Sequence, residues 1–302
     1  MKLRSTSRGM SSPSPAALST VLTSEEILAH PRFAEARKAF VEAVLALHEG
    51  DQFRSRLLSE AMRQVTFNTI VSLHLRHDVT DRSTWPTLRR LKDEIRRFGL
   101  ASPRRIDALV ARLARFGYVE SHPSEQDGRI RILTPTAKMM ALDREWLFYH
   151  HVPLHVMFPE PGYPEPIARD AAFQRVHRLV ALEFSAKGSD IMTGNPAVMR
   201  FMNRDSGVLI LIKLLQMHAA GDGKGFSYQD IGTRFGVSRT HVRLLLEDIA
   251  QHGDVSLSGR TRRLVELHPC LLQAFDRFLA EVMSGHDLLY KLTCERMKKE
   301  KR

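Results

Sequence analysis

The chain has 302 residues, 43% apolar and 26% charged, enough for more than one packed core and too apolar for a disordered polymer. Its 45 Lys and Arg outnumber 34 Asp and Glu, a formal charge of +11 that favours polyanionic partners, nucleic acid ahead of an acidic membrane surface. Cys270 and Cys294 are too few for a disulfide framework, and no apolar run approaches the roughly 20 residues of a membrane span.

Residues 1–23 are rich in Ser, Pro and Arg and are expected to form a disordered basic tail. Lys2, Arg4 and Arg8 precede no continuous apolar stretch, so no secretory signal is expected and a reducing cytoplasm fits. Ser24 offers an N-cap before Glu25 and Glu26. Phe33, Ala36, Phe40, Val44 and Leu47 then recur at helical spacing until Gly50. A helix is predicted over 57–77 and a loop over 78–86. Short helices over 87–98 and 102–116 lead into a hairpin of 118–122 and 129–133 around Asp127-Gly128. Another helix starts after Pro135. Five prolines within 151–166 predict a linker with no regular helix.

Beyond that linker the order recurs. Helices are predicted over 167–184 and 196–218, a loop over 221–225, and short helices over 228–235 and 238–252. Strands over 254–257 and 262–267 precede a last helix opening at Pro269. The expected domains are 24–150 and 167–292, with a basic tail over 293–302.

The recurrence extends to residues. With one offset, Ser102 meets Ser238, Ile106 meets Val242, Leu109 meets Leu245, Val110 meets Leu246 and Leu113 meets Ile249. Gly117 then meets Gly253, and Val119 meets Val255. Leu133-Thr134-Pro135 meets Leu267-His268-Pro269 if the second hairpin is two residues shorter. Cap, apolar phase, stopping glycine and following strand all agree, which points to duplication rather than to chance likeness of two amphipathic helices.

Ile106, Leu109, Val110 and Leu113 share one helical face, and Arg104, Arg105, Asp107 and Arg112 lie off it, behind the capping Ser102. Arg can fork onto guanine O6 and N7 in a major groove, and the first turn of such a helix is where base contacts fall. In the hairpin, Arg129 and Arg131 alternate with Ile130 and Ile132, giving a basic edge for phosphates or a narrow minor groove. The second copy offers Ser238, Arg239, Thr240, His241 and Arg243 on its helix and Arg260, Arg262 and Arg263 on its hairpin. Its helix continues into Leu244, Glu247 and Asp248, so a packing role is the other reading of that copy.

On the helix 102–116 with Gly117-Tyr118-Val119, the tip Asp127-Gly128-Arg129 and the Leu133-Thr134-Pro135 run, residues 60–145 resemble the MarR family of winged-helix regulators. The resemblance implies a mainly α fold with small β-hairpin wings, here as a tandem winged helix-turn-helix with a pseudo-two-fold. It implies double-stranded DNA as partner, Arg129 as a wing finger entering the minor groove, Asp127 as its support, and Arg104, Arg105, Asp107 and Arg112 at the DNA. It also implies homodimerisation through terminal helices, and a small-molecule effector, unidentified, between reading units and terminal helices. Ala137 stands where the family usually has glycine, and the second copy lacks the Asp-x-Arg element.

The expected function is therefore a sequence-specific bacterial transcriptional regulator, cytoplasmic and nucleoid-associated, whose two units act as an internal pseudo-dimer. A plasmid-type replication initiator and a winged-helix protein-interaction scaffold are the alternatives. No enzyme, cofactor or metal is expected. His74, His77, His150, His151 and His155 read as surface or packing histidines, residues 221–225 lack the Walker spacing, and Cys270 reads as a small buried residue.

Overall fold

The computed structural model describes residues 21–48, 51, 54–55, 59–96, 98–99, 102–184, 190–192, 194–221, 227–259 and 264–301. These are mainly helical, with two separate two-stranded antiparallel sheets. The expected basic tail over 1–20, the loop at 222–225 and Arg260, Arg262 and Arg263 lie outside the described residues. Among those described, no helix is long and apolar enough to cross a membrane.

Two short N-terminal helices, α1 (Ser24–Ala29) and α2 (Phe33–His48), come first. The cap of α1 is Thr23, one residue before the expected Ser24. Its hydroxyl accepts from the Glu26 amide at 3.2 Å while the Glu26 carboxylate accepts from the Thr23 amide at 2.8 Å. That reciprocal pair needs a Glu three residues after the cap, which Thr23 has and Ser24 lacks.

The first helix–hairpin unit is α3 (Ala61–Arg76), α4 (Leu88–Arg96), α5 (Pro103–Arg115), β1 (Val119–Pro123), β2 (Arg131–Pro135) and α6 (Ala137–Met157). After the short α7 (Pro164–Ile167) and α8 (Ala171–Glu183) comes α9 (Pro196–Met202). The same order then returns as α10 (Gly207–Ala219), α11 (Tyr228–Phe235), α12 (Arg239–Gln251), β3 (Val255–Ser258), β4 (Leu264–Leu267) and α13 (Pro269–Glu300). The helix expected over 196–218 is broken. Ser206 adopts φ +54, and a Cβ on Gly207 would lie 2.0 Å from the Phe201 carbonyl oxygen, so the chain turns sharply where only glycine fits.

The two copies share local detail. Both α5 and α12 have thirteen residues and start 136 positions apart, and both end at a glycine with positive φ, Gly117 at +72 and Gly253 at +75. The return strand departs from the expected match. Thr136 donates from its amide to Tyr118 O (2.9 Å) and from Oγ1 to Gly117 O (2.8 Å). His268 donates from its amide to Asp254 O (3.1 Å), and its Nδ1 lies 2.8 Å from Gly253 O. His268 therefore stands for Thr136, an offset of 132, and the second hairpin is four residues shorter rather than two. The strand register agrees, since Val119 faces Pro135 and Val255 faces Leu267. Pro135 and Pro269 are therefore not equivalent, because backbone hydrogen bonding sets the pairing.

Helix α6 overturns the expected linker. It runs through Pro153 to Met157, because one proline removes one amide donor while Leu147, His151, Leu154 and Met157 stay buried on the packed face. The other four prolines, Pro159, Pro161, Pro164 and Pro166, follow its end. As a result the cores do not follow the expected boundaries at 150 and 167. Met139 and Leu142 of α6 join a core of Phe67, Ile70, Leu91, Ile106 and Leu113. Tyr149, Leu154 and Met157 join a larger one that holds Phe33 and Phe40 of α2 together with Leu209, Leu246 and Phe275.

Between the two cores α6 carries Asp143, fully buried, and α8 answers with Arg178. The guanidinium forks onto the carboxylate at 2.6 and 3.1 Å, and Gln174 donates to the same carboxylate at 2.7 Å. Arg178 also lies 4.5 Å over the Trp146 ring. Removing one partner strands the other in a dry interior, so Asp143→Asn or Arg178→Met is expected to cost about 3–5 kcal/mol. The double variant Asp143→Leu with Arg178→Met should recover most of that loss in chemical denaturation. A double variant as unstable as the sum of the singles contradicts this account.

Candidate nucleic-acid interface and central cavity

Ser102 and Ser238 occupy equivalent N-cap positions with nearly identical extended backbones, φ −73 and −74. Only Ser238 caps with its side chain, accepting from the His241 amide at 3.0 Å; Ser102 makes no such bond. The apolar faces behave as the spacing predicts, with Ile106, Leu109, Val110 and Leu113 all buried. The turn before α12 is the tighter one. It spans three residues from Gly236 (φ +71), and a Cβ on Gly232 would meet the Val237 carbonyl at 2.6 Å. That is the length and glycine content of a helix-turn-helix corner.

The predicted contact residues divide by what they already touch. Arg104, Arg129 and Arg239 are exposed and form no ion pair among the described residues, and Thr240 is exposed beside them. Arg105 instead pairs with Glu60, Asp107 with Lys92 at 2.5 Å, and Arg243 with Glu247 at 2.8 Å. Arg112 is half-buried. Arg131 lies along its own hairpin, with Nε donating to Ser121 Oγ at 3.0 Å. Asp127 supports the hairpin tip through backbone rather than through the Arg129 side chain. Its carboxylate accepts from the Arg129 amide at 3.2 Å and from Arg82 at 3.3 Å.

The first turns of α5 and α12 are tied to one hub. Glu60, just before α3, holds both Arg105 and Arg63, and Arg63 also reaches Asp205, just before α10. The Asp205 carbonyl lies 2.8 Å from His241 Nε2. Arg105 and His241 occupy equivalent places in the two copies, so α5 and α12 are each anchored through the same position. Ser59 bridges the halves by accepting from the Ser206 amide at 3.0 Å.

A cavity of about 320 Å³ opens from this hub into the interior. Glu60, Asn68, Trp146, His150, His177 and His286 are among its lining residues. Its size suits a small ligand. Beside it three helices bring together His151 of α6, His177 of α8 and His286 of α13, all buried, with one ring nitrogen of each within 4.8 Å of the others. Burial holds all three neutral, pushing His151 down to about 4 and the other two well below the ordinary histidine range. His150, at about 3 for the same reason, holds its ring 4.6 Å from His286 at a tilt. Of the histidines weighed from sequence, only His151 belongs to this cluster; His155 accepts from the Tyr163 amide instead. His177 and His286 carry no local signal, because their neighbours in sequence are ordinary helix. Cys270, expected to be buried, is exposed on the first turn of α13, where Leu271 takes the inward position.

Comparison of the chain with known protein families, curated proteins and solved structures returns no match.

His48 also lines the cavity, and burial, aided by the Arg54 charge, lowers it to about 4 against the pull of Asp51. Above pH 6.5 it is neutral whether folded or not. Between 6.5 and about 4 only the unfolded chain takes the proton, so stability falls through that window and levels off below it. Relative to His48→Gln, the wild type is expected to lose up to about 3 kcal/mol between pH 7 and 4. Parallel denaturation curves at both pH values for the two proteins would refute this.

Proposed function

We propose that this protein is a sequence-specific regulator that binds double-stranded DNA through two winged helix-turn-helix units in one chain, a MarR-like arrangement with an internal pseudo-two-fold. The observation that carries the reading is the repeated helix, turn, helix and hairpin with unpaired, exposed arginines at the contact positions. These are Arg104 and Arg239 in the first turns of α5 and α12 and Arg129 at the tip between β1 and β2. A helix N-terminus presents amide donors and a positive dipole end to phosphate, and the net charge of +11 adds a long-range attraction. The second unit reads DNA as well, since its corner is the tighter and its acidic Glu247 is already paired with Arg243. The hub gives the cavity a route to the DNA surface, because Glu60 lines the one and grips Arg105 of the other.

Two measurements test the reading. Binding to a selected duplex should weaken steeply with salt, and Arg104→Ala and Arg129→Ala should each lower the log–log slope by about 1. Arg104→Ala should also cost about 1–3 kcal/mol and relax preference at one base pair. Footprinting should show two protected half-sites per chain; a single one would remove the pseudo-dimer. In a protein-interaction scaffold all three arginines can be neutralised without loss of partner binding. Separately, Glu60→Gln releases Arg105 and is expected to strengthen DNA binding severalfold in the same assay.

A further inference from the structure

We propose that His151, His177 and His286 form a binding site for a divalent transition-metal ion of the zinc type. The inference does not rest on the DNA-binding reading. Three imidazoles from three different helices converge, each on a rigid element, with ligand atoms within 4.8 Å of one another. A tetrahedral zinc with nitrogen at about 2.0–2.1 Å holds its ligands about 3.3 Å apart, so the rings need close by only about an ångström and a half.

The donor chemistry is already set. His151 Nδ1 lies 2.7 Å from the Leu147 carbonyl, which makes it the N–H donor and leaves Nε2 as a lone pair aimed into the interior. This is the outer-shell hydrogen bond that fixes tautomer and ring angle in metal-bound histidines. Among the described residues, His151 Nε2, both ring nitrogens of His177 and His286 Nδ1 are buried without a hydrogen-bond partner. Buried polar atoms are normally satisfied, and a cluster that converges on one point asks for a shared partner. Aromatic packing against Phe173 and Tyr163 explains the rings but not the orphaned nitrogens.

The surroundings suit a cation. The three ligands are neutral at physiological pH, so no proton has to leave before a metal binds. Arg178, next to His177, is paired bidentately with Asp143, which offsets part of its charge at the cluster. An all-nitrogen set favours zinc, copper, nickel or cobalt and disfavours magnesium or calcium, which take oxygen. His177 and His286 also line the cavity, so a fourth coordination position faces a space that admits water or a small ligand. Three protein ligands with an open position are the arrangement of zinc sites that exchange a ligand rather than only brace a fold.

The test uses the full chain, stripped with a chelator and titrated with zinc chloride by calorimetry. One saturable ion per chain is expected, with a melting temperature that climbs as zinc is added and does not respond to magnesium. Cobalt should give the visible absorption of a four-coordinate nitrogen site without thiolate bands, and zinc should bleach it. His177→Gln and His286→Gln should each weaken binding by on the order of a hundredfold, while His218→Gln and His252→Gln, both exposed, should not. Should either cluster variant fail to fold, X-ray absorption at the zinc edge of the wild-type protein decides alone. At least three imidazoles in the first shell support the site. No saturable site, an equal response to magnesium, sulfur in the first shell, fewer than three imidazoles, or undiminished binding by the folded His177→Gln variant overturns it.

Discussion

The carboxylate of Asp143 and the guanidinium of Arg178 sit where water does not reach, and the arrangement of this protein turns on their contact. A charge in such a place is tolerable only when its partner is fixed with good geometry and its remaining polar atoms are satisfied. Asp143 meets that demand with two bonds from Arg178 and one from Gln174. The pair binds α8 to the middle of α6, at the point where α6 passes from one hydrophobic core to the other. Around this clasp lie Trp146, under the guanidinium, and the buried histidines, whose neutral state is reinforced by the adjacent positive charge. The clasp therefore fixes two things at once, the joint between the repeated units and the wall of the cavity between them.

The repeated units are alike in backbone and unlike in surface. Both place a thirteen-residue helix ahead of a positive-φ glycine and a hairpin, and both fasten that helix through its third residue to the chain before their first helix. The first unit uses an Arg–Glu ion pair for the fastening, and the second uses a His–carbonyl contact. The difference bears on the proposed contact with DNA. Arg105 must leave Glu60 before it can meet a phosphate or a base, whereas the exposed Arg104 and Arg239 need release nothing.

Local features were legible without coordinates. The apolar spacing of Ile106, Leu109, Val110 and Leu113, the glycines that stop α5 and α12 and the Asp-Gly turn of the first hairpin are properties of a few consecutive residues, and they appear where expected. Misreadings arose where a distant partner outweighed a local preference. Pro153 should end a helix, yet burial of the residues around it exceeds the loss of one hydrogen bond. The match of Pro135 to Pro269 looked right as text, but the backbone bonds of Thr136 and His268 place the equivalence elsewhere. The roles of Arg105, Asp107 and Arg243 as candidate contacts were inferred from the face they share. The ion pairs of Arg105 with Glu60 and of Asp107 with Lys92 were not readable, since those partners lie on other elements, whereas Glu247 stands four residues from Arg243 on the same helix.

Sequence alone determined the order of elements, its duplication and the basic character of the hairpin and helix starts, because periodicity, capping and turn chemistry act over a few residues. Tertiary structure alone decided that α1 and α2 pack with the second half of the chain, that one helix joins both cores, and that a cavity lies at the junction. It also decided which arginines stand free and which are held. Above all it brought His151, His177 and His286 to one point from three helices. Convergence of that kind depends on crossing angles and packing between distant segments, and no spacing along a chain encodes those.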